Sequence, residues 1–427
     1  MSSSLLLSSL FIFFPFPAGI AVAQDTVATP TQEMTPSTTE VPSLPRLNGL
    51  TFSGLLITEL FGNVSGGTQR TVIWESLSIL GMHFDFEKAV HFPGLSLNVS
   101  GLYCAGYGLT DKAVHDLNVL SNIDSYDSLR LYEAWLQQDF ANGQFSIRAG
   151  QLLADAEFFV SQYSGLFVNS SFGALPVVSL NFSSPIFPIA APGIRLRTQP
   201  NESFFLEAAA FSGNVGDPTG NNKHNLRLPF RDNDGILIFA EMGYTLNPGN
   251  APEKGSSTDG TATKKLSGTY KLGGCFDSGE FSAGDNNPSV HRYNYAIYLL
   301  ADQELWHSDS AVDRTLAFFC RLGFGPQDRN TMTAFVDSGL TLQGLLAGRE
   351  NDLLGLGFSY GQLSDSLLDD LGRKVSNHNE TVVELTYRLA LNSHAALQPD
   401  LQCILNPGGV RPAATAIVAG LRCTLSF

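Results

Sequence analysis

From about Leu47 to the end of the chain, apolar and polar residues alternate with period two, the spacing of strands with one oily and one wet face. Between Arg130 and Phe140 one face reads Tyr132, Ala134, Leu136 and the other Glu133, Trp135, Gln137, Asp139. Asn142-Gly143 follows, a dipeptide that favours a tight hairpin because both central residues tolerate positive φ. The alternation resumes with Phe145, Ile147, Ala149 against Ser146, Arg148, Gly150. The same grammar returns at Gly193 to Thr198, where Ile194 and Leu196 alternate with Arg195 and Arg197 before a Gln199-Pro200-Asn201 turn. It continues with Glu207 among Leu206, Ala208 and Ala210, and again in Thr381 to Leu391. Helical periodicity is sparse; short helices are expected at Asp155 to Tyr163 and Leu363 to Leu371.

Alternation fits a soluble sandwich as well as a barrel, and the chain end tips the balance. Ile417, Ala419, Leu421, Cys423, Leu425 and Phe427 form one face, Val418, Gly420, Arg422, Thr424 and Ser426 the other. A last strand ending on an aromatic residue is expected to carry the signal read by the barrel-assembly machinery, here through Phe427. Closing the sheet also removes the exposed edges that so many strands would otherwise present. The expected fold is all-β: a transmembrane antiparallel up-and-down β-barrel with short helices in inward-folded loops.

Composition agrees. Of 427 residues, 43% are hydrophobic and only 15% charged, with 41 Gly and 30 Phe. After the N-terminus no stretch stays apolar for the ~20 residues of a membrane helix, so the oil is dealt out in short pieces. Residues 1–23 read as a secretory signal peptide, with an apolar run from Leu5 to Phe16 and Ala21-Val22-Ala23 at its end, although no Lys or Arg precedes the run. Residues 24–46 are rich in Ser, Thr and Pro and read as a disordered leader. The barrel is expected over 47–427, with a long polar loop from Asn247 to about Lys265.

The net charge of −15 argues against a nucleic-acid partner. Cys104, Cys275, Cys320, Cys403 and Cys423 show no CxxC and no neighbouring His at ligand spacing, so no metal or other cofactor is expected. No GxSxG or HExxH stands near the eight His residues, which argues against an enzyme.

The chain resembles the carbohydrate-selective porins of the OprB family. The likeness begins at Arg130-Leu131-Tyr132-Glu133-Ala134-Trp135 and Ser146-Ile147-Arg148-Ala149-Gly150-Gln151. It runs through Asp155-Ala156-Glu157-Phe158-Phe159, Leu166-Phe167-Val168-Asn169-Ser170-Ser171-Phe172-Gly173 and Ala191-Pro192-Gly193-Ile194-Arg195-Leu196-Arg197. It ends with Leu397-Gln398-Pro399-Asp400-Leu401-Gln402, Asn406-Pro407-Gly408-Gly409 and Gly420-Leu421-Arg422. The resemblance implies about 16 strands in a bacterial outer membrane, surrounded by lipid, as a monomer or homotrimer that passes small neutral sugars. The match is weaker from about Gly249 to Arg373.

A sugar offers hydroxyl groups and an apolar ring face, so a selective lumen calls for donors, acceptors and an aromatic surface. Arg148, Arg195 and Arg197 are the candidate donors, Glu133 and Glu207 the acceptors, Trp135 the stacking platform. Each could equally be a wall ion pair that only holds the barrel together. Asp155 and Glu157 lie in a segment, Asp155 to Phe172, expected to fold into the lumen and shape its constriction; a loop capping the barrel from outside is the alternative. An ion-selective general porin and a non-conducting structural barrel anchored to the envelope remain open beside the sugar channel.

Overall fold

The computed structural model describes residues 48–106, 108–217, 219–227, 234–248, 265–282, 290–308, 314–364, 378–409 and 414–427. The expected signal peptide, the leader, most of the 247–265 loop and nearly all of the expected helix at Leu363 to Leu371 lie outside these residues.

The strands are β1 (Leu50–Gly67), β2 (Val72–Asp85), β3 (Leu95–Gly106), β4 (Ser128–Phe140), β5 (Phe145–Leu152), β6 (Ala191–Asn201), β7 (Phe204–Ser212), β8 (Ile236–Leu246) and β9 (Gly268–Asp277). They continue as β10 (Phe281–Ser282), β11 (Val290–His291), β12 (Asn294–His307), β13 (Thr315–Phe324), β14 (Met332–Gln343), β15 (Leu353–Leu363), β16 (Asn379–Asn392), β17 (Ala395–Leu405) and β18 (Ala414–Ser426). All but the small β10/β11 ribbon join one closed sheet of sixteen strands, in which β18 returns to pair with β1. Each barrel strand pairs antiparallel with the barrel strands that precede and follow it, β9 with β12 across the ribbon, the up-and-down topology expected from the sequence.

The alternation becomes an inside and an outside. In β8 every second residue is buried, placing Leu237, Phe239 and Glu241 inward and Ile238, Met242 and Tyr244 outward. Aromatic residues gather toward both ends of the outer face, with Tyr295, Phe276 and Phe324 at one rim and Tyr244, Tyr270 and Trp306 at the other. An apolar band flanked by aromatic girdles is a lipid-facing surface.

Inward aromatic rings lie flat on glycines of the next strand. A Cβ on Gly243 would stand 2.1 Å from the Phe205 ring, one on Gly273 2.3 Å from Tyr298, and one on Gly193 2.5 Å from Phe211. These close approaches account for part of the chain's wealth of both residue types. At the seam the Phe427 ring covers Gly54, and the two backbones exchange hydrogen bonds of 2.8 and 2.9 Å.

Two expectations change. Tyr132 does not share the outward face of Ala134 and Leu136. The β3/β4 register shifts between Ser100↔Glu133 and Gly101↔Leu131, and the extra residue turns Tyr132 inward against Phe187. Asp155 to Tyr163 is not a helix either: one helical bond, Phe158 N–H to the Ala154 carbonyl at 2.8 Å, is followed by Phe159 at φ 51°. The loop's helices are single turns further on, at Ser164–Leu166, Ser170–Phe172 and Pro176–Ser179. A short helix the sequence reading did not foresee, Phe86–Val90, is capped by Asp85, which accepts the Glu87 and Lys88 N–H groups at 3.0 and 3.1 Å.

Two connections occupy the barrel interior, 108–127 between β3 and β4 and 153–190 between β5 and β6. The second packs Phe158, Phe159, Val177 and Val178 against Phe239, Tyr298 and Phe335 of the wall. Its backbone groups, taken out of water, are satisfied by wall side chains: Glu384 accepts from the Val168 and Asn169 N–H groups at 2.6 and 2.9 Å, and Asp302 from Gln162 N–H at 2.8 Å.

Candidate functional site

Strand pairing places the polar side chains of β4 to β9 side by side. Arg148 on β5 stands directly opposite Arg195 on β6, and Arg197 opposite Glu207, which in turn faces Glu241 on β8. All are on the inward parity of their strands.

Two adjacent guanidinium groups repel unless something shares them. Glu157, carried inward by the 153–190 loop, does so, with one oxygen 2.8 Å from Arg148 Nη1 and the other 2.5 Å from Arg195 Nε. Gln137 Oε1 accepts from both cations, at 2.8 Å from Arg148 Nε and 3.1 Å from Arg195 Nη2. Arg195 also donates to Ser146 Oγ at 2.5 Å. Arg195 and Arg197, two residues apart, do not share a carboxylate. Arg197 pairs with Glu207 at 2.9 Å and lies over the Phe205 ring at 4.4 Å, with a quarter of its side chain open to the lumen.

Trp135 is inward and almost buried, and the Arg148 guanidinium covers one of its faces at 3.9 Å from the ring centroid. His83 meets it edge-on at 6.3 Å. Glu133 is inward too, within electrostatic reach of Arg148, Asp155 and Glu157. Asp155 is turned to the loop itself, accepting the Phe187 N–H at 2.9 Å. Burial pushes its carboxyl up to about 6, against the opposing pull of that N–H.

The wall also contains groups the sequence reading did not single out. Lys271 on β9 pairs with Glu241 at 3.1 Å. On the far side Arg422 pairs with Glu59 at 2.6 Å and donates to Asn122 at 2.8 Å. Both Glu241 and Lys271 occupy polar positions in alternating runs, so the period-two rule applied to every strand would have found them. Arg321, almost fully buried, pairs with Asp337 and donates to three carbonyls of the 153–190 loop; nothing in its local sequence marks it. Among the described residues no group of three or more His, Cys, Asp or Glu side chains is placed to hold a metal ion.

A closed sixteen-strand barrel with a charged, loop-filled lumen is the frame of a diffusion channel. Residues 79–427 match the family described as "Carbohydrate-selective porin, OprB family". This chain belongs to that family. It is an outer-membrane sugar porin of bacterial type.

Among relatives of this porin, Porin B of Pseudomonas aeruginosa is 20% identical over 421 residues, covering 89% of this chain and 88% of that protein. The high-pH structure of Pseudomonas putida OprB superposes with a TM-score of 0.75 at 19% identity, over 89% of this chain and 94% of that one. The low-pH structure gives 0.56 at 16% identity, over 89% and 93%. At such identity the likeness concerns the fold.

Proposed function

We propose that small neutral sugars diffuse passively through this porin past the wall formed by Arg148, Arg195, Arg197, Glu133, Glu207 and Trp135, with Glu157 on the opposing loop. The observation that carries this reading is the pairing of charge. Arg148 meets a carboxylate at 2.8 Å, Arg195 at 2.5 Å, Arg197 at 2.9 Å and Lys271 at 3.1 Å. Such a wall sets donors and acceptors in paired charges, the Arg148, Arg195 and Glu207 side chains almost wholly covered and Arg197 the most open to the lumen. A hydroxyl can donate to one neighbour and accept from the next, whereas an ion of either sign meets repulsion at every second group. Trp135 acts by holding the Arg148 plane in place, and Asp155 by shaping the loop behind Glu157. We assign the chain no catalytic step.

The outward faces support contact with lipid, and the Phe427 ring on Gly54 supports a role for the last residue in closing the seam during barrel assembly. In this reading residues 1–23 are the export signal and 24–46 a Ser/Thr/Pro-rich leader. Association of three barrels is proposed from the family resemblance, and chemical crosslinking in native membranes tests it.

Single-channel conductance of the refolded chain in planar bilayers, with glucose and then maltooligosaccharides added, tests the sugar reading. Concentration-dependent block by glucose, weakened in Arg195→Ala, is the expected result. Open channels that no sugar blocks would make this a general porin, and no channels at all would favour a structural barrel.

A further inference from the structure

The 153–190 loop could face Glu157 in many directions, since its first turn is irregular and its only long-range covalent restraints are the ends of β5 and β6. Two residues after Glu157, however, the barrel takes hold of one residue by both of its backbone groups. The Phe159 N–H donates to Glu241 Oε2 at 2.7 Å, and the Phe159 carbonyl accepts from Arg321 Nη1 at 3.3 Å. The next carbonyl, of Val160, accepts from Lys271 Nζ at 3.0 Å. Phe159 itself stands at φ 51°, a left-handed conformation that a residue with a Cβ adopts only under constraint.

Each of the gripping side chains is itself fixed. Glu241 accepts from the Tyr298 hydroxyl at 2.8 Å through the same oxygen, and its other oxygen faces Lys271 at 3.1 Å. Arg321 is locked by Asp337 and sends further bonds to the Gly173 carbonyl at 2.6 Å and the Ser171 carbonyl at 3.0 Å. Glu241, Tyr298, Arg321 and Asp337 are all almost fully buried. They come from β8, β12, β13 and β14, so the grip is tied to four separate staves of the barrel.

We propose that Glu241 and Arg321 are positioning residues that set the gauge of the pore: by clamping the Phe159 N–H and carbonyl in its left-handed turn they hold the Glu157 carboxylate against Arg148 and Arg195. This rests on the reading of Glu157 as part of the solute path. A regular helical turn would send the Phe159 N–H back to the Asp155 carbonyl. The wall carboxylate competes for that donor and turns the chain at this residue, which swings Glu157 toward the two arginines. Neither positioning residue touches the solute.

The test uses the full chain, refolded and read in planar bilayers, with folding checked by the heat-dependent shift of the barrel on gels. Tyr298→Phe removes one hydrogen bond to Glu241 and leaves the ring on Gly273. It is expected to raise the glucose dissociation rate by roughly fivefold, a part of the weight of one hydrogen bond to a carboxylate. Arg321→Met is expected to raise it further and to change the open-channel conductance in potassium chloride, and Arg321→Lys to restore part of both. If Arg321→Met does not fold, Tyr298→Phe decides alone. Folded variants with wild-type conductance and wild-type glucose kinetics would overturn the proposal, provided Glu157→Gln alters both. If Glu157→Gln changes nothing, it is the placing of Glu157 in the solute path that fails.

Discussion

Arg148 and Arg195 face each other across neighbouring strands, and one carboxylate, Glu157, binds both. The two cations belong to the barrel wall and the anion to the loop, so the loop's position and the wall's charge balance depend on each other. Breaking the shared pair takes away the one carboxylate common to both guanidinium groups, which still meet at Gln137 Oε1.

Glu157→Gln is therefore expected to leave an excess of positive charge on this wall and to raise the chloride-to-potassium permeability ratio several-fold. Reversal potentials under a potassium chloride gradient measure it. Glucose block should weaken in the same variant, because a neutral amide no longer offsets the two guanidinium charges.

Trp135→Ala removes the surface under the Arg148 guanidinium. A buried cation over a ring gains up to about 2 kcal/mol, so freeing Arg148 is expected to weaken glucose block by roughly tenfold; losing this buried ring also costs the barrel about 3–5 kcal/mol, read as a lower temperature for the heat-dependent gel shift. Trp135→Phe should retain most of the affinity. Equal losses in both would mean that the indole contacts the sugar itself.

Gly243→Val places side-chain atoms where the Phe205 ring lies. Overpacking of this kind costs about 1–3 kcal/mol, and here the displaced ring also moves toward Arg197. A lower temperature for the heat-dependent gel shift and a reduced single-channel conductance are expected together.

Asp155 gives a pH dependence of definite sign. Burial raises its carboxyl from the ordinary 3.8 to about 6, so between these values the folded chain holds more of this proton than the unfolded one. Stability should fall as pH rises through that window, by up to about 1.4 kcal/mol per pH unit, and level off above it. Asp155→Asn, which keeps an acceptor for the Phe187 N–H, is expected to flatten the profile measured by denaturant unfolding from pH 4 to pH 8. An unchanged slope would assign the dependence to another group.

The wall is written in the alternation of the chain. Period-two alternation decides which residues of β5, β6, β7 and β18 face in, because successive side chains of a strand point to opposite sides and one side must meet lipid. Arg148, Arg195, Arg197 and Glu207 are inward for that reason and could be read without coordinates. One inserted residue defeats the rule, as at Tyr132, since a bulge shifts the parity of everything beyond it and leaves no local mark. Which charges meet depends on how the closed barrel brings distant strands against the loop. Glu157 reaches Arg148 and Arg195 because wall residues from strands far apart in the chain, Glu241 and Arg321, take the backbone bonds that a helix at Asp155 to Tyr163 would have kept for itself. The local propensity of that segment is weak, and buried charge-assisted hydrogen bonds from the closed barrel outweigh it.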